Sequence, residues 1–170
     1  MKKENVHIIL ASKSERRKDI LQREGFDFEI YVPSGIEMDI IGKKYSEELV
    51  NECAKEKAEN AYSELYGINH IISDDNGSQK STSTEGSQSF AHTSDDKDCI
   101  IVSCDTVVVN DDVIIGKPKD KNDAMNILKS LSGRRHRVIS AVCICKNGEY
   151  YVENDTTYVT FRKIFEEELE

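Results

Sequence analysis

The stretch CIIVSCDTVVV, from Cys99 to Val109, limits what this chain can fold into more than any other. It is a nearly continuous apolar run, rich in β-branched residues and followed by the turn residues Asn110, Asp111 and Asp112, which predicts a strand buried on both faces of a sheet. Such a strand needs layers on either side of it. One residue breaks the pattern. Asp105 stands inside the run, where an ionised carboxylate costs several kcal/mol unless a cation, a metal or hydrogen bonds meet it. Ligands of open α/β sheets gather at strand ends, so an acid emerging from this run is an active-site candidate. A hydrogen-bonded structural aspartate in a turn is the other reading the run allows.

The remaining segments supply the layers. VHIILAS reads as a short buried strand, SERRKDILQREG as a helix ended by Gly25, and FDFEIYV as a second strand. From about Tyr45 to Leu65 a long helix is expected, with Val50, Ala54, Ala58, Ala61 and Leu65 on one face. After the central run, VII starts a return strand. Asp120 then caps a helix carrying Ala124, Ile127, Leu128 and Leu131 at helical spacing, ended by Gly133. RHRVISAVCIC and EYYVENDTTYVTF read as long strands joined by the turn KNGE, and FEEELE begins a further helix. The pattern predicts an α/β class, a mixed twisted sheet flanked by helices.

Between about 67 and 98 the composition changes. Ser, Thr, Asp, Gly and Gln dominate, and DDNGSQKSTSTEGSQS is of low complexity. Such a segment cannot bury enough apolar area to offset an ordering cost of about 1 to 2 kcal/mol per residue. It is expected to be a disordered surface insertion in one domain spanning residues 1–170, since apolar patterning resumes at Cys99.

The formal charge of -9, from 23 basic and 32 acidic side chains, argues against a polynucleotide partner, which would favour a basic excess. No stretch approaches the roughly 20 apolar residues of a membrane helix, and the opening MKKENVHIIL is too short in its apolar part for a secretory signal. A soluble, cytoplasmic protein is expected. Five cysteines lie mostly in apolar runs, with no CxxC spacing or Cys/His cluster, so they read as reduced core thiols.

Several polar residues invite a chemical reading. Ser12 and Glu15 have the spacing of a capping box, which places a helix N-terminus and its anion-attracting amides just after the first strand. Arg16 and Arg17 fall in that first turn, where the macrodipole disfavours a cation by roughly 0.3 to 1 kcal/mol unless an anion is present. They either hold a phosphate or pair with Glu15 or Asp19. Lys57 shares the small-residue face of the long helix, so its ammonium must snorkel outward or meet an anion. Lys117, in IIGKPKD, stands between a strand and a helix start, where a point charge can reach a phosphate. Glu37 and Asp39, in PSGIEMD, offer oxygens suited to a hard metal. The run Arg134, Arg135, His136 and Arg137 is split between two faces if it is a strand. Phosphate-loop, GxGxxG and nucleophile-elbow signatures are absent.

In content and order these segments resemble the Maf family of nucleotide pyrophosphatases. IILASKSERRKDIL is similar to the family's opening motif, with Glu15 where proline is common. NECAKEKAENA is similar to its second motif, and VSCDTVVVNDDVIIGKPKDKNDAMNILKSLSGRRHRVISAV is the strongest match. The resemblance implies a Maf/ITPase-like fold and an enzyme that cuts a nucleoside triphosphate to its monophosphate and pyrophosphate. It implies Asp105 as the catalytic acid, and Ser12, Arg16, Arg17, Lys57 and Lys117 as substrate contacts. A divalent metal, Mg2+ or Mn2+, would be held by Asp105 with Glu37 or Asp39, since Met38 stands near where relatives often carry an acid. DTVVV and SGRRHRV look more like the branch acting on dTTP and UTP than the one acting on 7-methyl-GTP, with Arg135 and Ser140 departing from its usual threonines. A homodimer is compatible with the family. Its members continue beyond TTYVTFRKIFEEELE through a Gly-rich segment, so this chain is expected to be C-terminally incomplete. Two other readings remain beside this one, a pyrophosphatase for modified purine triphosphates and a catalytically impaired nucleotide-binding regulator.

Overall fold

A computed structural model describes residues 6–35, 38–67 and 99–169. The expected insertion and Glu37 lie outside these residues, Gly67 excepted. Six strands form one mixed sheet in the order β2-β1-β3-β5-β6, with β4 added to β3. Strand β1 (His7–Leu10) runs parallel to β2 (Phe28–Ile30) and to β3 (Cys99–Asn110). Helix α1 (Glu15–Arg23) lies in the chain between β1 and β2, and α2 (Glu47–Tyr66) follows β2. Strand β3 turns through Asp111 and Asp112, both at positive φ (49° and 62°), into the antiparallel β4 (Val113–Ile115). Helix α3 (Lys121–Leu131) leads to the hairpin of β5 (Arg135–Lys146) and β6 (Glu149–Thr160). Asn147 and Gly148 close that hairpin at φ 55° and 78°, the pairing expected of a type I′ turn.

The core lies between α2 and one face of the sheet. Val50, Cys53, Ala54, Ala58 and Ala61 are buried against Ile9, Ile101, Ile139, Ala141, Cys143 and Cys145. Alanine at three of these helix positions lets the backbones approach closely. Ser103 Oγ donates a buried hydrogen bond of 2.5 Å to the Ala54 carbonyl. Burial holds the thiols in their neutral form, pushing Cys53 and Cys143 up to about 11 and raising Cys104 and Cys145. All five cysteines are free, as their sequence context predicted.

Three expectations need correction. Strand β3 is fully buried on one face only: Cys99, Ile101, Ser103, Val107 and Val109 are inside, while Val102, Cys104 and Val108 are half-buried. The reason is thin cover on the second face, where α1 has no buried residue and Val142 and Ile144 of β5 stay exposed. The capping box of Ser12 and Glu15 does not form. Ser14 is the N-cap of α1 and makes no side-chain cap bond; Ser12 Oγ accepts instead from the Ser14 N–H at 3.2 Å, and Glu15 pairs with Lys18 at 2.6 Å. The helix starts two residues later than a Ser12 cap needs, at Glu15, so Ser12 sits in the turn between β1 and α1. Finally, FEEELE makes a single 3₁₀ turn (Glu166–Glu168), tied back by Arg162 to Glu168 at 2.5 Å. The Asp120 cap does form, accepting from the Asp123 N–H at 2.8 Å. No helix among the described residues is long and apolar enough to cross a membrane.

Candidate active site

Strand register creates an opening in the sheet. One edge of β3 is occupied by β5 from Ile100 to Val109. The other edge carries β1 opposite Cys99 to Val102 and β4 opposite Val108 to Asn110. Between these two partners, residues 103–107 of β3 have no strand beside them on that edge among the described residues. The chain leaves β1 there, with Ala11 N still donating to Val102 O at 2.8 Å. Asp105 and Thr106 sit at the middle of this gap. Side chains alternate along a strand, so they point to opposite faces of the sheet.

On the α2 face, Lys57 Nζ meets Asp105 Oδ1 at 2.5 Å, with the two side chains only 19% and 17% exposed. The cation and the acid singled out separately in the sequence therefore answer each other. Helical spacing aims Lys57 at the sheet three residues after Ala54, whose carbonyl is already bound to Ser103. Lys57 meets Asp105 through Oδ1, while Oδ2 carries no hydrogen bond among the described residues.

On the opposite face, Arg17 reaches from α1 to the same gap. One terminal nitrogen donates to Ser12 Oγ at 3.0 Å and the other to Thr106 Oγ1 at 3.2 Å. Thr106 Oγ1 lies 3.1 Å from Ser140 Oγ on β5. Ser12, 7% exposed, accepts from both Arg17 and the Ser14 N–H, which leaves its own hydroxyl proton to donate. Thr106 was not singled out from the sequence. The available signal was a hydroxyl in an apolar strand, which acquires meaning only once register pairs it with Ser140.

Lys117 follows β4, which runs antiparallel to β3 and ends opposite Val108, so the chain leaves the ladder at the gap's far margin. Lys117 and Arg16 are exposed and have no acidic partner among the described residues. Asp39 is also exposed, and its Oδ1 accepts from its own segment, at Ile41 N, 3.3 Å. Among the described residues no three His, Cys, Asp or Glu side chains are grouped to hold a metal ion. The basic run is divided: Arg134 pairs with Asp111 and Arg137 with Asp112, both at 2.5 Å. Arg135 stacks on Tyr158 at 4.1 Å, and His136 is buried edge-on to Phe161.

The segment leading to Glu37 and Asp39 is anchored by Glu64 of α2, another residue that sequence reading passed over. Glu64 accepts from the Tyr31 hydroxyl at 2.6 Å, the Ser34 N–H at 2.8 Å and the Ser34 hydroxyl at 2.7 Å. Partial burial pushes the Glu64 carboxyl up, but these bonds outweigh it and hold the group below the usual glutamate range. Burial and the Glu64 partner push Tyr31 up to about 12. A carboxyl lowered on folding stabilises the protein fully above its unfolded value and loses that contribution as pH falls through the folded one. Glu64→Gln is therefore expected to lower stability at pH 7 by about 1 kcal/mol, with the difference shrinking as the pH falls below the ordinary glutamate range. Paired melts at pH 7 and pH 3 test this, and a difference unchanged by pH would remove the carboxylate from the anchor.

The residues around the gap lie in order within a single family pattern: the Maf-like protein model matches residues 7–170. The chain belongs to the Maf-like family. A dTTP/UTP pyrophosphatase of Aquifex aeolicus is 32% identical over 165 residues, covering 96% of this chain and 69% of that protein. A dTTP/UTP pyrophosphatase of Ruminiclostridium cellulolyticum is 34% identical over the same shares. Among solved structures, a HAM1 protein from Coxiella burnetii overlays with a TM-score of 0.49 at 11% identity, over 90% of this chain and 71% of that one. In this Maf-like chain, Ser12, Arg17, Lys57 and Asp105 come together at the gap, with Lys117 at its margin.

Proposed function

We infer that the chain is a nucleoside triphosphate pyrophosphatase, a hydrolase that cuts a dTTP- or UTP-like nucleotide to its monophosphate and pyrophosphate. The observation that carries this reading is the Lys57–Asp105 pair set at a break in the sheet edge, with Arg17 reaching the same break from the other face. Its support from relatives is the pair of dTTP/UTP pyrophosphatases above.

The residues divide the work as follows. Ser12 donates its free hydroxyl proton to a phosphate oxygen, and Arg17 offers the guanidinium N–H groups that Ser12 and Thr106 do not use. Arg16, Lys57 and Lys117 add positive charge along the triphosphate, which is placed to offset the charge that develops in the transition state. Asp105, through Oδ2, orients or deprotonates a water for attack at the α-phosphorus, and the α–β bridging oxygen leaves with pyrophosphate. One carboxylate with an unused oxygen fits a hard divalent ion that takes its other ligands from phosphates and water, so Asp105, with Glu37 or Asp39, would hold Mg2+ or Mn2+, which neutralises the triphosphate.

The reading is tested by measuring pyrophosphate release across pyrimidine and purine triphosphates, canonical and modified. Faster turnover of dTTP and UTP is expected, and tight triphosphate binding without turnover would replace the enzyme with a nucleotide-binding protein. Excess chelator is expected to abolish release, with recovery on adding Mg2+ or Mn2+. Full activity in chelator would sink the metal assignment.

A further inference from the structure

We propose that Thr106 and Ser140 are positioning residues for Arg17, forming a two-hydroxyl brace that fixes its guanidinium across the gap to receive the phosphate chain. The proposal rests on the pyrophosphatase reading for the identity of the anion, but the brace itself rests on the structure.

An arginine in the first turn of a helix is a long, mobile cation beside amides that repel it. Arg17 is instead held at both prongs of its fork, by Ser12 Oγ at 3.0 Å and by Thr106 Oγ1 at 3.2 Å. The first anchor lies in the turn after β1 and the second in the middle of β3, so the guanidinium spans the break between them. Two of its five N–H donors are used, and three remain for an anion.

Thr106 can serve as acceptor only if its hydroxyl proton points away from Arg17. Ser140 Oγ, 3.1 Å away, sets that direction. If Thr106 donates to Ser140, both its lone pairs are left for the guanidinium; if Ser140 donates, one lone pair is taken and the other still accepts from Arg17. Removing Ser140 frees the rotor, and the proton can then turn against the arginine. The register Thr106↔Ser140 places the two hydroxyls directly opposite each other on neighbouring strands. The brace touches Arg17 and not Asp105, so it acts on holding the phosphates and not on the attacking water. It is blind to the base.

The experiment compares the wild type with T106V, T106S and S140A by three readings: KM and kcat for pyrophosphate release, calorimetric titration with inorganic tripolyphosphate, and the Arg17 Nε–Hε resonance. T106V is expected to raise KM roughly tenfold for every nucleotide accepted, to weaken tripolyphosphate by the same factor, and to leave kcat within about twofold. T106S should restore most of the affinity, and S140A should cost about threefold. The Arg17 resonance should be ordered in the wild type and T106S and mobile in T106V. Unchanged KM and tripolyphosphate affinity in T106V, or equal damage in T106S, would overturn the brace. If the wild type released no pyrophosphate, the functional reading would fail on its own. Tripolyphosphate binding and the resonance would then decide the brace, and a wild type that binds no tripolyphosphate would overturn it.

Discussion

Asp105→Asn is expected to lower the rate of pyrophosphate release by roughly 10² to 10⁴, the range for losing a general base, while the protein still folds and binds nucleotide. The amide has the size and shape of the carboxylate, and its oxygen can still accept from Lys57 Nζ, now 2.5 Å from Oδ1. What it loses is the negative charge and the basic lone pairs of Oδ2, which has no hydrogen bond among the described residues to hold it in a purely structural role. The stability cost should be about 1 to 2 kcal/mol, from a weaker bond to a charged donor. A structural reading of Asp105 makes the opposite forecast: an early melt and an unchanged rate per folded molecule. Pyrophosphate release measured beside thermal melting separates the two, and a variant that melts early but turns over normally would take Asp105 out of the mechanism.

The elements of the fold were legible because each carries its own local signal. The two I′ turns, at Asp111-Asp112 and Asn147-Gly148, are written in residues that tolerate positive φ, and Asp120 announces its helix by a side chain that reaches Asp123 N. The errors arose where the outcome depends on a partner. Apolar residues on both faces of β3 said nothing of how completely the second face would be covered, and α1 buries no residue against it. Ser12 and Glu15 have capping-box spacing, but α1 starts at Glu15 with Ser14 as its cap, so Ser12 stays in the turn two residues before the cap position, where it binds Arg17 instead.

The candidate site was legible residue by residue and not as an arrangement. Asp105 and Lys57 were each conspicuous for the same physical reason, a charge on a face where charge is costly, yet nothing in the sequence says that residues 48 positions apart cancel each other. Thr106 and Ser140 gave no such warning, since hydroxyls are common in strands. The gap itself is a difference in length between β1, β4 and β3, visible only once the register is known. Glu64 is an exposed helix acid, and its anchoring role becomes visible only through its hydrogen bonds to Tyr31 and Ser34.

The same cancellation of charge makes Lys57→Met the most destabilising of the site substitutions. Both partners are more than four-fifths buried, so removing the ammonium leaves a carboxylate with neither its cation nor full hydration. Breaking a fully buried ion pair from one side costs about 3 to 5 kcal/mol, and the residual exposure here brings the expectation to about 2 to 3. Methionine keeps the length and apolar stem of the lysine, so little of this comes from lost packing. The decisive measurement is a double-mutant cycle by chemical denaturation. Lys57→Met with Asp105→Asn should recover most of the loss, since an amide tolerates burial where a lone carboxylate does not, giving a coupling of about 1 to 3 kcal/mol. Any other contact that Lys57 makes is removed in both backgrounds and cancels from the cycle. Turnover behaves differently: it should be lost in the single and the double variants alike, because restoring the stability returns neither the phosphate-holding charge nor the base. Strictly additive stabilities would show that the pair is incidental to the fold, and activity recovered in the double variant would remove both Lys57 and Asp105 from the chemistry, leaving them as a structural ion pair.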